Sequence, residues 1–439
     1  MRIARSILFI LAAAAPFALT AQLTFPGLDA FSVNPEASSG LEGIYVLQTT
    51  AGARAVYPDA SAKWYRFSNL GASYAEEISS SADGNSSYIT LSEGDMGYLV
   101  ESQGRQHGFW ITDYSRHTLV LNALTVAGES DCSTVALSVD GDASEIPYYT
   151  LTGRRGTLSR ELELEYNTLN FNEDSFAYMS EAKTDVLASA GSTIHVQAPL
   201  CNTSFTISGD RFLKHWGRSV RVSSPSDYTA VAVACEARAT QESTGADNEQ
   251  KIELGGLGGS APCTVRFEGA VTDAAIFREW QISDMPEFDI PENTFSELDF
   301  TYTFREQGTW YVRLTVADDS GNCTAESQTF EIFIGDSKLL IPNAFTPHTT
   351  PGVNDEWKVS YRSLVTYECH VFNRGGTEMW STKDPAQGWD GRYKGKFVPA
   401  GVYYYVIDAM GADGIHYKRS GDINIIDYKA GTGSTTPAE

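Results

Sequence analysis

The chain has 439 residues and a formal net charge of −24 at pH 7; it is 12% aromatic but only 20% charged. That length exceeds one ordinary core, so three or four domains are expected, and the aromatic-rich, charge-poor balance suits exposed β-sandwiches better than helical bundles. The acidity argues against nucleic acid or anionic membrane surfaces as partners, and it is uneven: residues 339–428 hold nine Lys/Arg and ten Asp/Glu, so nearly all the excess negative charge lies in 22–338.

Residues 1–21 read as a secretory signal peptide, with Arg2 and Arg5 before an apolar run from Ile7 to Leu19. The run is about 13 residues, shorter than the roughly 20 that a membrane span needs. Cleavage after Ala21 would leave Gln22, which is not a lipid-anchoring cysteine, and would take the charge to −26. No second long apolar run follows, so no transmembrane segment is expected after cleavage.

Residues 22–127 read as a first β-sandwich. Lys63–Phe67 alternates, and turns at Asp83-Gly84-Asn85, Glu93-Gly94-Asp95 and Gln103-Gly104-Arg105 separate the strands Ser87–Leu91, Gly97–Glu101 and Gly108–Tyr114. Repeated hairpins of this kind build antiparallel sheets. Residues 128–238 read as a second, immunoglobulin-like sandwich, with Leu158–Leu164, Thr193–Val196, Ser204–Ile207 and Tyr228–Ala234 as strands. Residues 239–262 turn polar and then glycine-rich, the composition of a linker.

In 263–335, Phe277-Arg278-Glu279-Trp280 precedes the run Tyr302-Thr303-Phe304-Arg305-Glu306-Gln307-Gly308 and a long alternating strand, Thr309 to Asp318. This segment resembles a divergent PKD-type immunoglobulin-like domain, a class of extracellular spacer or interaction module. The family's usual Trp-x-Phe-Gly-Asp-Gly is replaced by Trp280-Gln281-Ile282-Ser283-Asp284.

Residues 339–428 carry the most specific pattern, ahead of a tail at 429–439. Pro342-Asn343-Ala344-Phe345-Thr346-Pro347 is followed by Asn354-Asp355, Phe372-Asn373-Arg374, Trp389-Asp390-Gly391, and Pro399-Ala400-Gly401-Val402-Tyr403. In order and spacing these resemble the type B C-terminal sorting domain of the type IX secretion system, also called the gliding-motility-associated C-terminal domain. The resemblance implies a β-sandwich read by an outer-membrane translocon, its principal partner. It also implies export through the periplasm of a Gram-negative bacterium to the outer-membrane surface or the medium. The family's acidic run after Phe-Thr-Pro is replaced by His348-Thr349-Thr350-Pro351-Gly352, which removes the carboxylates of a calcium loop.

Six cysteines in an exported chain suggest disulfides. Cys263 and Cys323 would bracket one sandwich and form the preferred pair. Cys132, Cys201 and Cys235 leave Cys132–Cys201 and Cys201–Cys235 as rivals. Cys369, in a strand pattern, reads as a buried thiol.

No His-Glu-x-x-His, Gly-x-Ser-x-Gly or phosphate-loop pattern occurs. No catalytic residue, metal ligand or cofactor is therefore assigned. His107 and His117 flank Phe109-Trp110 without the spacing of a metal site. On the first domain Tyr98 and Trp110 could stack on sugar rings, against core packing as the ordinary fate of aromatics. The expected fold is all-β: tandem Ig-like sandwiches ending in a sandwich-type sorting domain. The expected function is a non-enzymatic adhesion, binding or structural protein of the cell surface, with a glycan or protein as ligand. Two other readings stand beside it: an outer-membrane accessory or signalling component of the secretion and gliding machinery, and a polysaccharide-active hydrolase with an unmarked carboxylate pair.

Overall fold

The computed structural model describes residues 22–128, 131–243, 245–252, 255–347 and 352–426. The expected signal peptide and the tail at 429–439 lie outside them. The described residues form four groups of small β-sheets, with one short α-helix, Arg211–His215, among them.

The first group is a six-stranded sheet in the order Phe31–Val33, Gly43–Leu47, Arg105–Asp113, Met96–Ser102, Lys63–Phe67, Glu76–Ile78. A three-stranded sheet of Arg54–Tyr57, Ser86–Thr90 and Ser81–Asp83 packs on it through Ala55, Tyr57 and Ile89. Gly43–Leu47 is buried at every position. Because successive side chains of a strand point to opposite faces, Tyr45 and Leu47 enter the core between these two sheets, and Ile44 and Val46 enter another on the far side.

That other core belongs to the second group. One of its sheets contains Val120–Val126, Thr134–Asp142 and Thr193–Gln197; a second contains Ala177–Leu187, Leu162–Asn172, Thr206–Gly209 and Val220–Ser223; the pair Ile146–Tyr149/Arg155–Leu158 is a third. Val135, Leu137, Phe205, Ile207 and Phe212 share one apolar cluster with Ile44, Val46, Phe67, Leu99 and Trp110. The first two sandwiches are thus joined by a continuous core. Buried within it, Arg160 Nη1 meets Asp210 Oδ2 at 2.6 Å, both side chains being fully enclosed. Every arm of this pair is satisfied: Tyr114 Oη donates to Asp210 (3.0 Å), Arg160 Nε donates to the Ser144 carbonyl (2.6 Å), and Nη2 donates to the His117 carbonyl (2.7 Å). Such satisfaction is what a buried ion pair requires.

The expected strand at Tyr228–Ala234 is not formed. The segment makes one bridge, Tyr228 to Thr203, and buries Tyr228 and Ala232. The next strand, Cys235–Gln241, pairs along its whole length with Cys263–Val271. It opens the third sandwich, because Cys235 and Ala237 face that core. The boundary drawn at 238 from sequence therefore moves toward the N-terminus. The third sandwich sets a sheet of Cys235–Gln241, Cys263–Val271 and Asp299–Phe304 against one built from Leu257–Gly259, Phe330–Ile334, Gly308–Ala317, Phe277–Ser283 and Asn293–Phe295. Leu257–Gly259, expected as linker, runs parallel to Phe330–Ile334. A Cβ at Gly258 would lie 2.1 Å from the Phe333 carbonyl oxygen. Close backbone approach, not looseness, accounts for glycine there.

The disulfide joins Cys132 to Cys323, across 191 residues and from the second sandwich to the third. Cys201, Cys235, Cys263 and Cys369 are free thiols. The expected Cys263–Cys323 pair fails on topology. Cys263 pairs with Phe304 at one end of the sandwich, and Gly308–Ala317 then runs the length of the domain before Cys323 is reached. Ten strand residues span about 30 Å. Both pairs considered for Cys201 are likewise absent. Cys369 is fully buried, and burial pushes its thiol up to about 11.

Candidate functional site

The fourth group is a five-stranded sheet in the order Ala344–Phe345, His416–Ile425, Gly401–Gly411, Leu364–Phe372, Glu378–Thr382, with the short pairs Lys338–Leu340/Ser360–Arg362 and Arg392–Tyr393/Lys396–Phe397 beside it. Its register gathers the motif residues at one end. Phe345 pairs with Ile425, Ile425 with Gly401, and Tyr404 with Phe372.

The buried members of the pattern make the fold at this end. Trp389 is completely enclosed, with Phe345 and Tyr403 at ring distances of 5.6 and 5.2 Å. Its indole N–H donates to the Arg392 carbonyl at 3.0 Å. Trp357 and Trp389 exchange backbone hydrogen bonds at 2.9 and 3.0 Å, and the Trp357 indole donates to the Pro342 carbonyl at 2.7 Å. Gly391 has φ +74°, and a Cβ there would press on Pro347 Cβ at 2.9 Å. Its place between tryptophan and proline follows from that crowding. The Tyr403 hydroxyl donates to the Pro399 carbonyl at 3.0 Å.

The partly or fully exposed members hold turns and strand ends. The Asn343 carbonyl accepts from Asn424 N at 2.8 Å, and Thr346 N donates to the Asn354 carbonyl at 2.9 Å. The Asp355 carboxylate accepts from Gly352 N. Asn373 Oδ1 accepts from Gly375 N (2.9 Å) and Thr377 N (3.0 Å), holding the turn that presents Arg374. Asp390 Oδ1 accepts from Arg392 N at 3.0 Å. The Arg392 guanidinium lies 3.6 Å from the centre of the Phe397 ring. Lys394 and Lys396 are exposed on the same hairpin. On the outer face of the sheet, Val402, Tyr404 and Val406 are each between 43 and 47% exposed. This end thus offers cations and an apolar stripe, whereas the sandwiches in 22–338 are acidic.

The opposite end is occupied. The Gly411–Gly414 hairpin meets the third sandwich, where Gln307 N donates to the Ala412 carbonyl at 3.0 Å. Ser337 N and Oγ both donate to the Asp413 carboxylate, at 2.8 and 2.7 Å.

The other sequence candidates fall elsewhere. Tyr98 and Trp110 are 1% and 2% exposed. Tyr98 Oη accepts from Ser92 N at 3.1 Å, and Trp110 packs between Phe67 and Tyr149. Neither can stack on a ligand, because each lies on a sheet that is covered on both faces. His107 contacts Glu42 at 2.8 Å and His117 contacts Asp95 at 2.6 Å, each an isolated pair. Among the described residues, no group of three or more His, Cys, Asp or Glu is placed to hold a metal ion. No helix among them is long and apolar enough to cross a membrane. Sequence reasoning missed Trp357, 32 residues before Trp389; an aromatic in the alternating run Glu356–Tyr361 was its available signal.

Comparison with known proteins locates two family matches. Residues 124–224 match the fibronectin type III domain, an Ig-like fold, and residues 339–425 match the CHU_C type IX secretion signal domain. No curated protein matches. Among solved structures, a tetra-tandem repeat from the extending region of a large adhesion protein aligns at 11% identity over 86% of this chain and 96% of that one, with a TM-score of 0.21. Dimeric latent PorU from Porphyromonas gingivalis aligns at 12% identity over 73% and 35%, TM-score 0.15. Cadherin domains 3–6 of protocadherin gamma B2 align at 11% over 84% and 93%, TM-score 0.16. At these TM-scores the superpositions carry no argument.

Proposed function

Residues 339–425 are a type IX secretion signal domain, and from that premise we propose that the sandwiches before it are a non-catalytic binding cargo displayed at the cell surface. The protein is a multidomain surface or secreted protein exported by the type IX system, with the translocon as the partner of its terminal domain. The gathering of the motif residues at one end of that domain, with Arg374, Lys394 and Lys396 exposed there, carries the reading. The far end is docked on the third sandwich, which leaves the cationic hairpin, the Arg374 turn and the Val402–Val406 stripe free to meet the translocon. In the cargo the cores are filled while Tyr74, Val186, Phe277 and Ile290 stand exposed on outer faces and loops, so binding would use those surfaces, toward a glycan or a protein on a neighbouring surface.

Fractionation of cells producing the intact chain or a chain lacking 339–439 tests this. The intact chain is expected at the surface or in the medium, and the deleted chain in the periplasm. Normal export of the deleted chain would overturn the sorting role. Disturbed secretion of other proteins on loss of this one would favour the accessory reading. Turnover of a polymer, abolished by one Asp or Glu substitution, would favour the hydrolase.

A further inference from the structure

The segment 245–252, which composition marks as linker, is bonded to the terminal domain. Glu249 bridges in parallel to Tyr361. Gln250 N donates to the Tyr361 carbonyl at 2.7 Å, and Tyr361 N donates to the Asn248 carbonyl at 3.1 Å. Asn248 Nδ2 donates to the carbonyls of Val359 and Pro385, both at 2.8 Å. Gln250 Nε2 donates to Ser360 Oγ at 2.9 Å, and Asp247 lies 3.4 Å from Lys358 Nζ. A stretch of cargo thus lies along the edge of the terminal domain, joined to Ser360–Arg362 by one parallel bridge and the hydrogen bonds flanking it, a contact akin to the way sheets capture extended peptides.

The chain crosses covalently into the terminal domain elsewhere, at Gly335–Ile341, and that crossing is not a free linker. Ser337 is buried, Arg362 Nε donates to the Asp336 carbonyl at 2.9 Å, and Lys338–Leu340 pairs with Ser360–Arg362. Ser260 Oγ accepts from Ser363 N at 2.7 Å, while Ser363 Oγ accepts from Ala261 N at 3.2 Å. Val365 and Ala412 touch the core of the third sandwich.

We propose that residues 245–252 are a strap that fastens the terminal domain to its own cargo, so that the domain is kept after export as the fourth structural unit of the mature protein. A protease binds its substrate as an extended, accessible strand. Here the crossing is already paired, and the strap holds its partner strand Ser360–Arg362 from the other edge. Lifting the strap would free that strand and expose the crossing. The proposal rests on 339–425 being the sorting domain, and its test separates the two ideas.

Intact mass and terminal peptides of the exported protein are measured first; the mature chain is expected to retain 339–426. The purified full chain is then treated with a broad-specificity protease, alongside the Asn248→Ala/Gln250→Ala double variant. Removal of these side-chain hydrogen bonds is expected to raise the rate of cutting within 335–341 about tenfold. The Lys358→Ala variant, which loses the half-buried lysine's charge contacts to Asp247 and Glu356 but none of the strap's backbone or amide bonds, is expected to change it less than about twofold. An exported protein ending before 339 overturns the strap. So does equal cutting of the wild type and a double variant whose far-ultraviolet spectrum is native. Failure of the intact chain to leave the cell overturns the sorting reading beneath it.

Discussion

The junction between the first two sandwiches and the junction between the third and the terminal domain solve the same problem with opposite chemistry. At the first, the six-stranded sheet is buried on both faces, and one apolar cluster runs from Ile44 and Trp110 to Phe205 and Phe212. At the second, the contacts are mainly hydrogen bonds from strap and loop to edge strands, with Val365 and Ala412 as the apolar contribution. Burial of apolar surface is non-directional and cooperative; each backbone and amide bond at the second junction adds only about 1 kcal/mol net. The first pair is therefore one folding unit, and the second pair is two folded units held in register.

The largest effect is expected from breaking the buried ion pair of the first junction. Asp210→Ala strands Arg160 in the core and removes the acceptor of Tyr114 and Leu213. A loss of about 3–5 kcal/mol is expected, with the first two sandwiches melting together in calorimetry and the terminal domain unaffected. If the first sandwich kept its own transition while the second melted, the shared core would not couple them.

Removing the disulfide with Cys132→Ser and Cys323→Ser tests a third kind of junction, covalent and between the second and third sandwiches. The expected cost is about 2–4 kcal/mol, with small-angle scattering reporting a wider spread of shapes. An unchanged urea midpoint would mean that the neighbouring contacts already fix the junction.

The smallest effect is acid sensitivity at the polar junction. Burial raises the Asp413 carboxyl, but the Ser337 hydroxyl and N–H and the Ile415 N–H outweigh it and hold it below the ordinary 3.8. A lowered folded value means that the contribution is complete above about 3.8 and is lost as pH falls through the lower one. Below about pH 4 the transition of the terminal domain is therefore expected to fall in temperature, and Ser337→Ala is expected to reduce that dependence. Equal acid sensitivity in wild type and Ser337→Ala would remove Asp413 from the account.

The two kinds of junction also differ in how far the sequence reveals them. Hairpins such as Gln103-Gly104, Asp318–Asn322 and Gly411–Gly414 are legible because turn chemistry is local. The terminal pattern is legible because its turns and aromatics sit close together in the chain. The shared core left a trace that alternation counting overlooks: Gly43-Ile44-Tyr45-Val46-Leu47 is continuously apolar, the mark of a strand covered on both faces. The strap left none, since Asp247, Asn248 and Gln250 are ordinary linker residues until Tyr361 arrives from 111 positions away. The glycines at 255–259 misled for the same reason, because their partner strand is Phe330–Ile334. Within the terminal motif, sequence could not separate residues that build the fold, such as Trp389 and Gly391, from those on its surface, such as Arg374 and Asp390. Order along the chain carries no information on burial.

A surface protein gripped by a ligand at one end and by the cell at the other is under tension, and the Cys132–Cys323 bond sets its path. Force entering from the N-terminal side reaches Cys132, passes through sulfur to Cys323, and continues into the terminal domain. The stretch between them, residues 133–322, which includes the strap, is bypassed. Pulled in a single-molecule instrument, the oxidised chain would lengthen only by what lies outside that loop, and a reducing buffer would add the contour length within it. The bond is thus a mechanical shunt, leaving load on the first sandwich, on the Val120–Val126 strand of the second, on the Phe330–Ile334 strand of the third and on the terminal domain.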